Sequence, residues 1–260
     1  MKRNYDHASY VKAYHRKRYQ IKICQGLLLV SFLFLWEIGT RTQWINGFIF
    51  SSPSRILRTG YEMLLDGSLF YHTGITLLET FGSFAIITVL SIGIAILLWQ
   101  LPMAAKIVEP FFVMLNSLPK SALAPILIVW LGNNQKTIVI TAISIAIFGS
   151  ILTQYTGFVE TDEDQIKLLT VMGGSKWQCM GYIVLPASIP LIISTMKVNI
   201  GLSLVGVIIG EFLAAKAGLG YLIIYGSQVF KMDWVMLSIV ILCMMAGLLY
   251  WLINQIQKGA

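Results

Sequence analysis

The sequence predicts an all-α protein, a polytopic membrane helical bundle of about six transmembrane helices. Three observations carry that prediction. Of the 260 residues, 57% are hydrophobic and only 12% are charged, whereas soluble domains carry roughly 25% charged residues. The mean hydropathy is +0.75. Apolar runs recur along the chain, each approaching the ~20 residues that cross a ~30 Å hydrocarbon core as a helix. This composition excludes a soluble enzyme.

The first span is expected over 23–40. Seven of the 19 Lys and Arg residues (Lys2, Arg3, Lys12, Arg16, Lys17, Arg18 and Lys22) precede it, the bias that holds an N-terminus in the cytoplasm. The tail 1–22 interleaves these charges with Tyr5, Tyr10, Tyr14 and Tyr19, and the pI is near 9.3. A solvated topogenic tail is favoured over a nucleic-acid or lipid-surface binder. The run ICQGLLLVSFLFLWEIG is followed by Thr-Arg-Thr-Gln-Trp, with no small-x-small cleavage pattern, so it reads as a retained span.

Within the polar stretch 41–72, Ser51, Ser52 and Pro53 mark a turn and a short helix after it. A second span over 75–100 is stopped by Leu101-Pro102. The third, 107–131, contains Pro110, Pro119 and Pro125. Each proline removes a backbone donor and clashes with the preceding turn, so this span is expected to be bent or broken, which accommodates Lys120. A fourth span covers 136–158, a fifth 187–213 and a sixth 234–254, with AKAGLGYLI and a short polar stretch before the last. Six spans that start inside also end inside. That topology puts twelve Lys and Arg on cytoplasmic segments or their borders and six outside, with Lys197 inside span five. It also places the loop 159–185 in the cytoplasm.

That loop reads as two short helices. Thr161 or Asp162 can cap the first, and Glu163 and Asp164 suit the positive end of its dipole. Ile166, Leu169 and Met172 form one apolar stripe, with Leu168 beside it. Gly173-Gly174 allows the positive φ that ends a helix sharply. Ser175 and Gln178 form a capping-box pattern opening the second helix, which is expected to stop before Pro186. Helices this short need a surface to pack against. Two surfaces qualify: the protein's own face, or a groove in a separate subunit.

Cys24, Cys179 and Cys243 are widely spaced, and His7, His15 and His72 form no ligand cluster, so no metal or other cofactor is expected. GNNQKT at 132–137 lacks the second glycine and the spacing of a phosphate-binding loop, so ATP hydrolysis is not expected of this chain.

Gly173, Ile183, Leu185 and Pro186 stand in the order G, nine residues, I, x, L, P. This resembles the Glu-Ala-Ala loop of permease subunits in binding-protein-dependent ABC importers. EPFFVMLNSLPKSALAPILIVWLG (109–132), LPASIPLIISTMKVNIGLSL (185–204) and GEFLAAKAGLGYLI (210–223) are similar to the nitrate, sulfonate and taurine permeases. The likeness covers about 51–254, and four stretches in family order are a specific signal. It implies the MetI-like permease fold, an ATPase-coupling loop at Lys167, Leu168, Leu169, Gly173, Gly174, Ile183, Leu185 and Pro186, and a location in the cell membrane. It also implies a cytoplasmic ATP-binding subunit, an extracytoplasmic solute-binding protein, and a homodimer as the simpler alternative to two different permeases. The implied solutes are nitrate-, sulfonate- or taurine-like anions, or vitamin precursors. The chain departs from the family in one place: Lys167-Leu168-Leu169 stands where Glu-Ala-Ala is expected.

Lys197, Gly206, Gly210 and Glu211 in span five are candidates for the translocation pathway. Gly206, Gly210 and Ala214 recur every fourth residue, a ridge that lets another backbone approach. Two readings stay open: a helix crossing inside one subunit, or a pathway or interface between two copies. Lys197 and Glu211 are about 21 Å apart along a straight helix and cannot pair. Each must snorkel, meet another span or face a wet cavity. The alternative function is an ion-gradient-driven secondary transporter, which would favour paired intramembrane carboxylates or inverted repeats of broken helices. The sequence displays neither. A scaffold that only recruits a cytoplasmic protein is a third reading.

Overall fold

The computed structural model describes residues 7–119 and 122–259. Lys2, Arg3 and Tyr5 of the tail, and Lys120 of the third span, lie outside them. The described residues form twelve α-helices and no strand. Five helical stretches are long and apolar enough to cross a membrane: Arg16–Arg41, Ser68–Gln100, Gln135–Val159, Lys176–Ala214 and Met232–Gln255.

α1 (His7–Arg41) carries the described part of the basic tail, from His7, and the first span as one helix. Leu27, Leu28, Phe32 and Leu35 are all at least 60% exposed. A helix apolar on every side and covered on none is a lipid-facing rod. α2 (Gly47–Phe50) and α3 (Pro53–Leu65) follow. Ser52 caps α3, its hydroxyl accepting from the Arg55 N–H, as the Ser-Ser-Pro signal requires. Arg55 then pairs with Asp233 at 2.8 Å, pinning this segment to the start of the last helix.

α4 (Ser68–Gln100) ends at Leu101, and α5 (Pro102–Ser117) starts on the next proline. The expected third span is two pieces, α5 and α6 (Ala124–Leu131), with Pro119 between them and Pro125 in the first turn of α6. Proline is tolerated there because the first helical N–H groups have no intrahelical partner.

α7 (Gln135–Val159) lies in the centre, packed against both α4 and α10 (Leu185–Ala214). The Gly-Ala ridge of α10 explains the closeness. A Cβ at Gly206 would lie 2.6 Å from the Ala142 Cα, and one at Gly210 would lie 2.9 Å from the Ile138 Cα. The ridge therefore seats α7 of the same chain, with Ile138, Ala142, Val207 and Ala214 buried together. A second core joins α3, α10, α11 (Leu219–Gln228) and α12 (Met232–Gly259) through Ile56, Leu204, Leu222, Leu237 and Leu249. α11 takes up the end of AKAGLGYLI and the start of the polar stretch expected after it.

Between α7 and α10 lie α8 (Glu163–Val171) and α9 (Lys176–Cys179). The expected stop before Pro186 does not occur. The chain widens into a π-helical turn over Met180–Val184 and continues directly into α10, with the Leu185 N–H bonded to the Met180 carbonyl. A wider turn makes room for the proline ring and its missing donor, so the rod survives.

Candidate functional site

Two clusters stand at opposite ends of the bundle. The first is the α8–α9 loop. Asp162, not Thr161, caps α8, its carboxylate accepting from the Asp164 N–H at 2.9 Å. Gly173 takes φ +87°, a left-handed conformation that favours glycine, and a Cβ there would touch nothing. Gly174 is needed for space, since a Cβ would come within 2.8 Å of the Leu169 carbonyl. The capping box closes as its spacing requires. The Ser175 hydroxyl accepts from the Gln178 N–H, and the Gln178 side chain accepts from the Ser175 N–H at 2.7 Å.

The loop has an inner and an outer face. Ile166 and Leu185 pack on a core of Ala95, Phe158, Met180 and Val184, so the loop is anchored on its own protein. Leu169 and Ile183 are half-buried, and Pro186 is exposed. Outward stand Leu168 at 64% exposure, Val171 at 87%, Met172 at 76%, Trp177 at 63% and Tyr182 at 76%. The expected stripe of Ile166, Leu169 and Met172 thus divides: Ile166 faces inward and Met172 outward. Lys167, where the family pattern has an acid, pairs with Glu163 at 3.1 Å and Asp164 at 3.6 Å. The Glu163 hydrogen bond holds its ammonium above the ordinary lysine value. Its charge is therefore partly offset by its own helix.

The second cluster lies where α4 begins and α10 ends. Glu211 is 1% exposed. One oxygen accepts from the Thr76 hydroxyl at 2.7 Å and the other from the Gly220 N–H at 2.6 Å. Thr76 in turn accepts from the Leu219 N–H at 2.8 Å, and the Gly218 N–H donates to His72 Nδ1 at 3.0 Å. This explains the Gly-Leu-Gly turn. A Cβ at Gly218, where φ is +118°, would collide with the Glu211 carboxylate, and one at Gly220 would lie 2.8 Å from it.

Glu211 also meets Glu79 of α4, 6% exposed, in side-chain contact. Glu79 is not among the residues singled out from the sequence, and contrary to expectation the bundle holds a pair of intramembrane carboxylates. The available signal was a lone acid in an otherwise apolar helix, which marks a functional position by default. Among the described residues no donor other than a proton shared with Glu211 reaches either Glu79 oxygen. Beside the pair lies a cavity of about 230 Å³, its wall including Tyr71, Ile75, Glu79, Asn133, Gln135 and Lys216.

The other candidates of span five lie elsewhere. Lys197 donates to Asn254 at 2.9 Å and lies 5.8 Å from the Tyr250 ring centre, so it meets α12. Gly206 and Gly210 are packing positions against α7.

Comparison with known proteins gives this geometry its context. The chain is similar to the riboflavin transport system permease protein RibX of Chloroflexus aurantiacus, 23% identical over 230 residues, spanning 88% of this chain and 86% of that one. It is also similar to the taurine transport system permease protein TauC of Escherichia coli, 22% identical over 245 residues, spanning 92% and 88%. The fold is that of a subunit in the inward-facing MetNI methionine ABC transporter (TM-score 0.62, 18% identity, 72% of this chain and 94% of that one). A chain of a bacterial ABC transporter involved in alginate import shares it (TM-score 0.66, 12% identity, 95% and 99%). Residues 87–258 match the model of the "Binding-protein-dependent transport system inner membrane component" family. That match spans well over half of the chain, which therefore belongs to this family, the multi-span membrane permeases of ABC importers.

Proposed function

We propose that this chain forms, with a second copy of itself, the translocation pathway of an ATP-driven importer, and that the α8–α9 loop docks in a groove of a separate cytoplasmic ATP-binding subunit. The observation that carries this reading is the loop's two-faced build. Its inner face is fixed to the bundle by Ile166 and Leu185, while Leu168, Val171, Met172, Trp177 and Tyr182 stand outward. Solvated apolar residues on a rigid mount suit a protein partner. With α5 and α6 crossing together as one broken span, the chain crosses six times, so a basic N-terminal tail held in the cytoplasm puts both termini and this loop on that same side. The Glu79–Glu211 end then faces outward, where an extracytoplasmic binding protein delivers solute. The relatives named above transport riboflavin and taurine, which supports small solutes of vitamin-precursor or sulfonate type.

The test is co-purification with a candidate ATP-binding subunit co-expressed with this chain. Wild-type permease is expected to retain it, and Met172→Glu/Trp177→Glu permease to lose it. Undiminished retention by the double variant, or export of a reporter fused within 163–179, would overturn the reading. The carboxylate pair favours one alternative, an ion-gradient-driven carrier. Uptake by the purified chain alone under an imposed proton or sodium gradient would establish that alternative.

A further inference from the structure

The carboxylate pair poses a problem that the permease fold leaves unsolved. Glu211 has a neutral donor on each oxygen, from Thr76 and Gly220. Glu79, 6% exposed, has no donor from any other residue and meets only Glu211. Two carboxyls therefore face each other, and only a proton shared between them or a cation brought from outside can supply the donor that no other residue gives Glu79. A buried polar group without its hydrogen bond costs about 1–3 kcal/mol, and more when charged. The side chains and backbone groups that reach the pair are neutral, so nothing in contact offsets two acidic groups.

We propose that Glu79, backed by Glu211, recognises the positively charged, hydrogen-bond-donating end of a small solute, an ammonium or amidinium group. Such a group supplies both missing elements, N–H donors and positive charge. An amidinium offers two parallel N–H groups matched to the two carboxylate oxygens. Glu79 lines two cavities, of about 230 Å³ and about 540 Å³, which suit a small solute at or below the lower half of the ~300–1,000 Å³ of drug-sized sites. Lys216 on the wall of the smaller one adds a cation for the other end of a zwitterion. Thr76 and the Gly-Leu-Gly turn occupy Glu211, which leaves Glu79 as the member available to solute.

This inference rests on the importer reading for its direction, since it takes the Glu79 end to be the side of solute entry. Its test does not use transport. The purified full-length chain in lipid nanodiscs is treated with a hydrophobic carbodiimide, and modification of Glu79 is followed by peptide mass spectrometry. The probes are acetamidinium chloride, neutral acetamide, and sodium chloride at matched ionic strength.

Protection follows 1 + [L]/Kd, so acetamidinium at about four times its Kd slows modification about fivefold. Acetamide and sodium are expected to leave it unchanged. In Glu211→Gln permease, the new amide donates to Glu79 and protection by acetamidinium is expected to disappear. Equal rates with all three probes would overturn the proposal. So would failure of the reagent to modify Glu79, because a carboxyl that a small reagent cannot reach cannot meet solute. Protection without ATPase co-purification would separate failure of the importer reading from failure of this one.

Discussion

Gly173 offers a quantitative test of the docking loop, because its constraint is purely conformational. Its φ of +87° lies in the left-handed region, and a side chain there would meet no atom within 4 Å. Packing cannot confuse the result. An L-residue held left-handed costs roughly 1–2 kcal/mol, with Asn tolerated better than Ala and β-branched residues worst. If the ATPase binds only the native turn, that strain appears directly in the dissociation constant. One to two kcal/mol corresponds to about 5–30-fold weaker binding. Nanodisc-embedded permease titrated with its ATPase should therefore rank Gly, Asn, Ala, Val from tightest to weakest. Ala should fall in the 5–30-fold range and Val beyond it. Wild-type affinity for Gly173→Val, or the same loss for Asn and Val, would refute the reasoning.

Two further outcomes follow from named contacts. Gly206→Ala places a methyl 2.6 Å from the Ala142 Cα and should destabilise the permease by about 1–3 kcal/mol. Gly201→Ala, with nothing within 4 Å, should match or exceed wild type by up to ~1 kcal/mol of helix propensity. Thermal unfolding in detergent compares them. Asp66 accepts from the Ser68 N–H at 2.8 Å and hydroxyl at 2.6 Å, and these bonds hold its carboxyl below the ordinary value. A depressed carboxylate contributes stability above its unfolded pKa and loses it as pH falls through the folded one. Amide protection across 68–71, corrected for intrinsic exchange, should hold from neutral pH down to the carboxylate range and fall below it. Asp66→Asn should remove that dependence.

Local signals read from the sequence carry over to the structure where the physics is local. Gly173-Gly174, Ser175 with Gln178, and Ser52 before Pro53 each act within four residues, and each does what its spacing requires. The break between α5 and α6 follows from proline chemistry in the same way. Two features escaped because they depend on distant partners. Glu79 and Glu211 are 132 positions apart in the sequence, and only the packing of α4 against α10 brings them together. Pro186 read as a stop because α-helical rules alone were applied. The π-helical turn that admits it is rare, and no single residue type announces it.

That turn has a consequence for how force would travel. From Lys176 to Ala214 the backbone is one unbroken helical rod of 39 residues, about 58 Å long at 1.5 Å per residue. One tip belongs to the α8–α9 loop, and Glu211 sits near the other. A rigid lever of that length converts a tilt of about 5° at the loop into a sideways swing of about 5 Å at the far tip, comparable to a hydrogen-bonded contact being made or broken. Bending along the lever should concentrate at the widened turn and at Pro190, where the ladder of backbone bonds is thinnest.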